Sequence, residues 1–267
     1  MIAPCILKVN VKSNSKIVLI VGSAPDALRV SDWDTSIFAH RVVINNAWQV
    51  CETWDCLIYP EDFPRDRHPP VNQTMGRQMI GADEFVPAQN HFGGVVYAGG
   101  TMAFTAGYWA LGALKPDVIA YVGCDMIYDS RAGQTTHFYG QGRADPLRPD
   151  VTLQSLEAKS ARLWALAQRQ GCSVVNLSDQ LTSRLLFPRV SWQKLNVTGI
   201  SPGTDVSGGF ELDQSAADEA LLAEAELAYS VPSGRYWEAA SGFDKTKLSH
   251  IDSLWLAAWQ AKAMVPS

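Results

Sequence analysis

The chain is short of charge, short of cysteine and without a long apolar run. Only 18% of its 267 residues are Asp, Glu, Lys or Arg, 22 basic against 27 acidic, giving a formal charge of −5. That balance lacks the basic field a nucleic-acid clamp needs, so no nucleic-acid partner is expected. No apolar stretch approaches the roughly 20 residues that cross a bilayer. The first 15 residues, MIAPCILKVNVKSNS, show neither the apolar centre nor the small-residue cleavage site of a secretory leader. Five cysteines, an odd number, do not make a disulfide framework, and a reducing cytoplasm is the expected location. Apolar residues, by contrast, make up 47% of the chain, enough for a substantial core and too many for disorder.

Over residues 1–190 the pattern alternates. Ile17 to Val21 (IVLIV) is a β-branched run apolar on both faces, as in an interior parallel strand, and it ends at Gly22. Val42 to Asn46, Asp55 to Tyr59, Val118 to Val122 and Val174 to Leu177 are similar short runs. Helical spacing appears between Gly99 and Leu114 and from Leu153 to Gln170, where Gly171 stops it. This order predicts an α/β fold, a doubly wound Rossmann-like parallel sheet. Asp62 to Asn90, polar and carrying three prolines in its first half, reads as a long surface excursion. Asp129 to Asp150 is rich in Gly, Arg, Asp and Pro and opens at a strand's carboxyl end. It reads either as a lid over a site or as an unstructured connection. Residues 191–267 form a C-terminal extension, with helices expected at Ala216 to Ala228 and Ile251 to Met264. In the second of these, Ile251, Leu254, Trp255, Ala258 and Trp259 share a face. That face suits a second subunit, a membrane surface or the chain's own domain. Its lack of a basic flank favours a homo-oligomer over a peripheral contact at the inner membrane.

Candidate chemistry gathers at strand ends. Gly22-Ser23-Ala24-Pro25 follows the first strand, where small residues let backbone N–H groups approach an anion; a tight turn needs small residues in any case. Asn45-Asn46 end the second strand and offer amides that can read a base or ribose, or simply form a turn. Gly99-Gly100-Thr101 open a helix, and Gly123, Cys124 and Asp125 close the VIAYV strand. Open α/β sheets bind ligands beyond such carboxyl ends. Asp32-Trp33-Asp34 resembles a metal-binding D-x-D but lies beyond the first helix, where a turn or cap is expected. Cys51 and Cys56 lack a second pair at zinc spacing, so no metal site is expected. There is no G-x-S-x-G elbow.

In order along the chain, IVLIVGSAPD, VVINNAWQV, GGTMAFTAGYWALG, AYVGCDMIYD, THFYGQGRAD and LQSLEAKSARLWALAQRQGCSVVNLS resemble bacterial sialyltransferases of glycosyltransferase family 42. More distantly they are similar to the motility-accessory-factor and hydroxymethylpterin-pyrophosphokinase-like group. VPSGRY (Val231 to Tyr236) is faintly similar to that family's C-terminal I-P-S segment. The resemblance implies a metal-independent Rossmann-like transferase with no resident cofactor and a cytidine-monophosphate-activated sialic acid as donor. It places Gly22, Ser23 and Pro25 on the nucleotide loop and Asn46 on a nucleotide-binding Asn. Gly99, Gly100 and Thr101 fall near the donor-facing Thr-Ser-Gly, and Asp125 and Tyr128 on a segment whose Tyr helps the phosphate leave. Without a gap the catalytic His of the family falls on Gln141, and an expected Arg before Gly99 is Val96 or Tyr97.

The implied reaction transfers the sugar to a glycan hydroxyl. A neutral His suits the base, and His137 is the histidine inside the expected lid. Tyr128, Tyr139 and Gln141 complete the candidate catalytic set; Gly22, Ser23, Pro25, Asn45, Asn46, Gly99, Gly100, Thr101, Gly123 and Asp125 form the candidate donor site. Two alternatives stay open. One is a Mg²⁺-dependent pterin or nucleotide pyrophosphoryl transferase using Asp125 and Asp129. The other is an inactive nucleotide-sugar-binding homologue, which the Gln141 position suggests.

Overall fold

The fold is seen in a computed structural model that describes residues 15–127, 135–140, 154–198 and 210–261. Six strands form one all-parallel sheet: β1 (Ile17–Val21), β2 (His40–Ile44), β3 (Cys56–Ile58), β4 (Gln78–Ile80), β5 (Val118–Val122) and β6 (Ser173–Asn176). Their spatial order is β4-β3-β2-β1-β5-β6. The central strands are apolar on both sides because both sides are covered. Val18 and Ile20 point into one core and Ile17, Leu19 and Val21 into the other. The alternation expected over residues 1–190 therefore holds as an α/β, Rossmann-like sheet flanked by helices.

The two layers differ in build. On one face lie α1 (Ala82–His91), α2 (Met102–Trp109) and α3 (Leu156–Arg169), which bring Phe85, Phe104, Tyr108, Leu163 and Trp164 onto Val18, Ile20, Val42 and Ile119. Ser155 caps α3 by accepting from the N–H of Ala158, and Thr101 caps α2 by accepting from that of Phe104. The opposite face is covered by short 3₁₀ turns, among them Pro25–Asp32 and Asn45–Gln49, and by the helix Trp192–Thr198. Trp192 stacks on Trp33 at 4.8 Å and 7°. The chain runs from β1 outward to β4 and then returns across the sheet to β5. The gap between β1 and β5 is thus the switch point, where the two connections diverge and leave a crevice.

Two elements correct the sequence reading. Asp62 to Asn90 is not wholly a surface excursion, since it supplies edge strand β4 and helix α1. With only three residues and Gln78 exposed, β4 carries almost no hydrophobic pattern, and Pro87 inside α1 argues against a helix. The last helix is not Ile251 to Met264. It is α5 (Lys245–Ala258), capped by Asp244, and Trp259–Ala261 forms β8, antiparallel to β7 (Phe210–Leu212). The helix expected over Ala216 to Ala228 is α4 (Gln214–Leu227).

Helices α4 and α5 pack on one another and on α3. Ile251, Trp255 and Ala258 are buried there with Val95, Tyr97, Ala158 and Ala165, so of the three readings of that face the chain's own domain is the one that covers these residues. A buried polar cluster ties the layers together. Arg162 of α3 makes two 2.8 Å contacts with the Glu224 carboxylate of α4 and donates to Tyr108 Oη at 2.8 Å and to the Phe92 carbonyl. Trp255 Nε1 donates to the same carboxylate at 2.7 Å. Nearby, Lys159 Nζ meets Asp252 Oδ1 at 2.9 Å. Among the described residues no helix is long and apolar enough to cross a membrane.

Candidate functional site

The crevice between β1 and β5 is shaped by two glycines. Gly22 N–H donates to the Val122 carbonyl at 2.8 Å, and Ala24 N–H to that of Gly123 at 2.9 Å. A Cβ on Gly22 would lie 2.3 Å from the Gly123 oxygen, so no side chain fits there. Gly123 itself has φ +67°. Backbone thus replaces side chain at the floor, leaving space above it. The space is a cleft of about 240 Å³ lined by Gly22, Ser23, Asn45, Asn46, Gly100, Thr101, Gly123, His137 and Tyr139, all expected from the sequence.

Around this floor the backbone is unusual. Four non-glycine residues among those described have positive φ. Lys115 and Ala228 do so as helix C-caps. The other two, Asn45 (φ +52°) and Met126 (φ +54°), line the cleft. Residues held in this sparse region are held by their surroundings, and such positions concentrate at binding sites. Asn45 Oδ1 is buried without a hydrogen-bond partner. Asn46 is only 3% exposed, and its side-chain amide bonds to none of the described residues. A buried amide oxygen without a partner, as at Asn45, is rare and costly, and a ligand that satisfies it gains its hydrogen bond.

His137 and Tyr139 reach the cleft on a tight turn. His137 and Gly140 exchange backbone hydrogen bonds of 3.3 and 3.0 Å, and Phe138 N–H donates to the Ser23 carbonyl at 3.0 Å, pinning the turn to the loop after β1. The imidazole stacks on Tyr139 with centroids 5.0 Å apart, and its Nδ1 is 2.9 Å from Thr136 Oγ1. Burial lowers the His137 pKa from its ordinary 6.5, so the ring is neutral at pH 7. When Nδ1–H donates to Thr136, Nε2 keeps a free lone pair, the form a proton acceptor requires.

Three expected donor-site residues stand outside the cleft lining. Pro25 opens the 3₁₀ turn behind the loop. Gly99 (φ +88°) closes the short helix Val95–Ala98 and sets the chain's entry into α2. Asp125, 2% exposed, turns toward β6, where Ser178 Oγ donates to its Oδ2 at 2.7 Å. The chain leaves strand geometry at Gly123, where φ is +67°, and beyond it Cys124 lines the cleft. Burial, with Asp125 beside it, raises the Cys124 pKa far above the ordinary thiol value, so its sulfur is a wall rather than a nucleophile. Val96 and Tyr97 are buried in the layer below α4 and α5, not in the cleft. Tyr128, Gln141, Asp129 and most of the expected lid lie outside the described residues. Asp34 caps a 3₁₀ turn by accepting from Ser36 N–H. Among the described residues no three His, Cys, Asp or Glu side chains group as metal ligands.

The cleft also contains residues the sequence reading missed. Pro60, Phe63 and Arg67 come from the β3–β4 connection, and Tyr236 from the segment after α4. Nothing local marks them: Arg67 stands in a polar, proline-bearing stretch. Tyr236 belongs to the VPSGRY segment, which carried a likeness but no position. Compared with family models, curated proteins and solved structures, the chain matches none, so its functional reading rests on the geometry of this cleft.

Proposed function

We propose that the chain is a metal-independent glycosyltransferase that moves a sialic-acid-like sugar from a cytidine-monophosphate-activated donor to a glycan hydroxyl. One observation carries the reading. Small-residue backbone from β1 and β5, two amides after β2, the start of α2 and a neutral histidine converge on one cleft at the switch point of a parallel sheet. In this reading Asn45 and Asn46 hydrogen-bond the nucleoside. The loop from Gly22 to Ala24 and the start of α2 face the phosphate. His137 Nε2 takes the proton of the acceptor hydroxyl as it attacks the anomeric carbon and the nucleotide phosphate departs. Tyr139, stacked on the imidazole, fixes the ring plane and brings a phenol to the same space.

The test is calorimetry with cytidine, uridine and adenosine monophosphates, each with and without Mg²⁺, followed by a transfer assay with a cytidine-monophosphate-activated nonulosonate. Preferential cytidine binding without metal supports the reading. Preference for adenosine with Mg²⁺ moves it to pyrophosphoryl transfer, and binding without transfer to an inactive homologue. Binding of none of the three overturns it.

A further inference from the structure

Several positive charges near the carboxyl edge of the sheet are paired among the described residues. Arg29 is held by Asp26 at 3.0 Å and Asp179 at 2.6 Å. Arg189 donates to the carbonyls of Ser178 and Gln180. Arg235, at the rim, grips the Glu61 carboxylate at 3.2 and 3.3 Å. Among the described residues lining the cleft, the one Lys or Arg is Arg67. Its side chain lines the cleft and makes no hydrogen bond or ion pair with any described residue. No described Asp or Glu lines the cleft to neutralise it.

Its backbone, by contrast, is fixed. Trp48 Nε1 donates to the Arg67 carbonyl at 3.0 Å. Next to it, His68 packs edge-on against Tyr59 at 4.7 Å and against Phe63 at 5.1 Å, and Pro69 is buried. An exposed guanidinium on an anchored backbone loses less freedom on capturing a ligand than one on a loose loop. Also lining the cleft are Met102 and Ala103, whose N–H groups belong to the first turn of α2 and have no acceptor within the helix. Asn46, 3% exposed as a residue and with no side-chain hydrogen bond to a described residue, lines the same space. Helix N-terminus, buried amide and free guanidinium are together a receptor for an anion attached to a polar, hydrogen-bonding body.

We infer that Arg67 is the anion anchor of the cleft, binding the phosphate of the bound ligand. That the phosphate belongs to a nucleotide rests on the reading above; that an anion is held by Arg67 does not. The guanidinium gives two parallel N–H donors to phosphate oxygens, which a lysine matches only as a point charge.

The experiment is calorimetry on the full chain with three probes, cytidine monophosphate, cytidine and inorganic pyrophosphate, for the parent, Arg67→Gln and Arg67→Lys. Thermal melts check that the exposed substitutions leave the fold intact. In the parent, the monophosphate should bind more tightly than cytidine. Arg67→Gln should weaken the monophosphate roughly 10- to 100-fold while leaving cytidine unchanged, and Arg67→Lys should recover part of the loss. If the parent binds pyrophosphate but neither cytidine compound, and Arg67→Gln abolishes that binding, the anchor stands and the nucleotide reading falls. Anchoring is overturned if Arg67→Gln leaves monophosphate and pyrophosphate binding unchanged, or weakens cytidine as much as its monophosphate. It is equally overturned if the parent binds no anionic probe.

Discussion

Gly22 and Gly123 touch across the seam between the two central strands, with the place of a Gly22 Cβ only 2.3 Å from the Gly123 carbonyl oxygen and 2.5 Å from Cys124 Sγ. Both partners are fixed, one in the backbone and one in the core, so Gly22→Ala must push the β1 and β5 ends apart. It should cost about 1–3 kcal/mol, as overpacking does, measured by urea denaturation. Ligand binding should fall further than that destabilisation explains, because the displaced atoms are the cleft floor. Gly171→Ala is the control. It has φ +72° but nothing within 4 Å of its Cβ, so it should cost about 1 kcal/mol from backbone strain and leave binding unchanged. Equal binding losses in the two variants would remove the floor role of Gly22.

The Arg162–Glu224 pair should behave as a buried pair whose parts cannot be removed singly. Glu224 accepts from Arg162 and from Trp255 Nε1, and Tyr97 Oη donates to its backbone carbonyl at 2.9 Å. Glu224→Ala leaves a buried guanidinium short of its counter-charge and should cost about 3–5 kcal/mol. Replacing both partners together, Arg162→Met with Glu224→Leu, should cost less than the single change. Far-UV circular dichroism during urea unfolding reads both. A double variant less stable than Glu224→Ala would show the network to be a net stabiliser rather than a compensated burden.

How far this molecule was legible in its sequence follows from where each feature's information lies. β1, β5 and the buried end of β2 announce themselves because strands covered on both faces read as near-continuous apolar runs. β4 does not, since a three-residue edge strand with an exposed Gln78 needs no hydrophobic pattern. Cleft residues that directly follow strands, Gly22, Asn45 and Gly123 among them, were readable because strand order alone fixes their position. Asp125 failed because the backbone leaves strand geometry at Gly123 (φ +67°), which breaks the alternation of β5, puts Cys124 on the cleft and turns the carboxylate to Ser178. Arg67 and Tyr236 were illegible because tertiary packing, not local pattern, carries their connections to the cleft. The apolar face of α5 was visible, but its partner was not: periodicity reports that a face is covered, never by what.

His137 gives the sharpest pH expectation. As a base it must be neutral, and burial moves its pKa down from 6.5. The sign follows directly. A lowered pKa keeps the neutral form populated to lower pH than for a free histidine, so the acid limb of kcat/KM should have its midpoint below 6.5 and be flat above. The same shift means that folding opposes protonation here, so this group withdraws stability as pH falls through 6.5 toward its folded value. His137→Ala should reduce turnover by about 10²–10⁴-fold while nucleotide affinity stays nearly constant, because the turn is held by the Phe138 to Ser23 backbone bond rather than by the ring. Thr136→Val separates positioning from chemistry. Losing the 2.9 Å contact to Nδ1 frees the ring to choose its tautomer, so it should lower kcat with the acid limb still present. If His137→Ala transfers sugar at the parent rate, or the acid limb persists unchanged in that variant, the proton goes elsewhere and the imidazole only braces Tyr139.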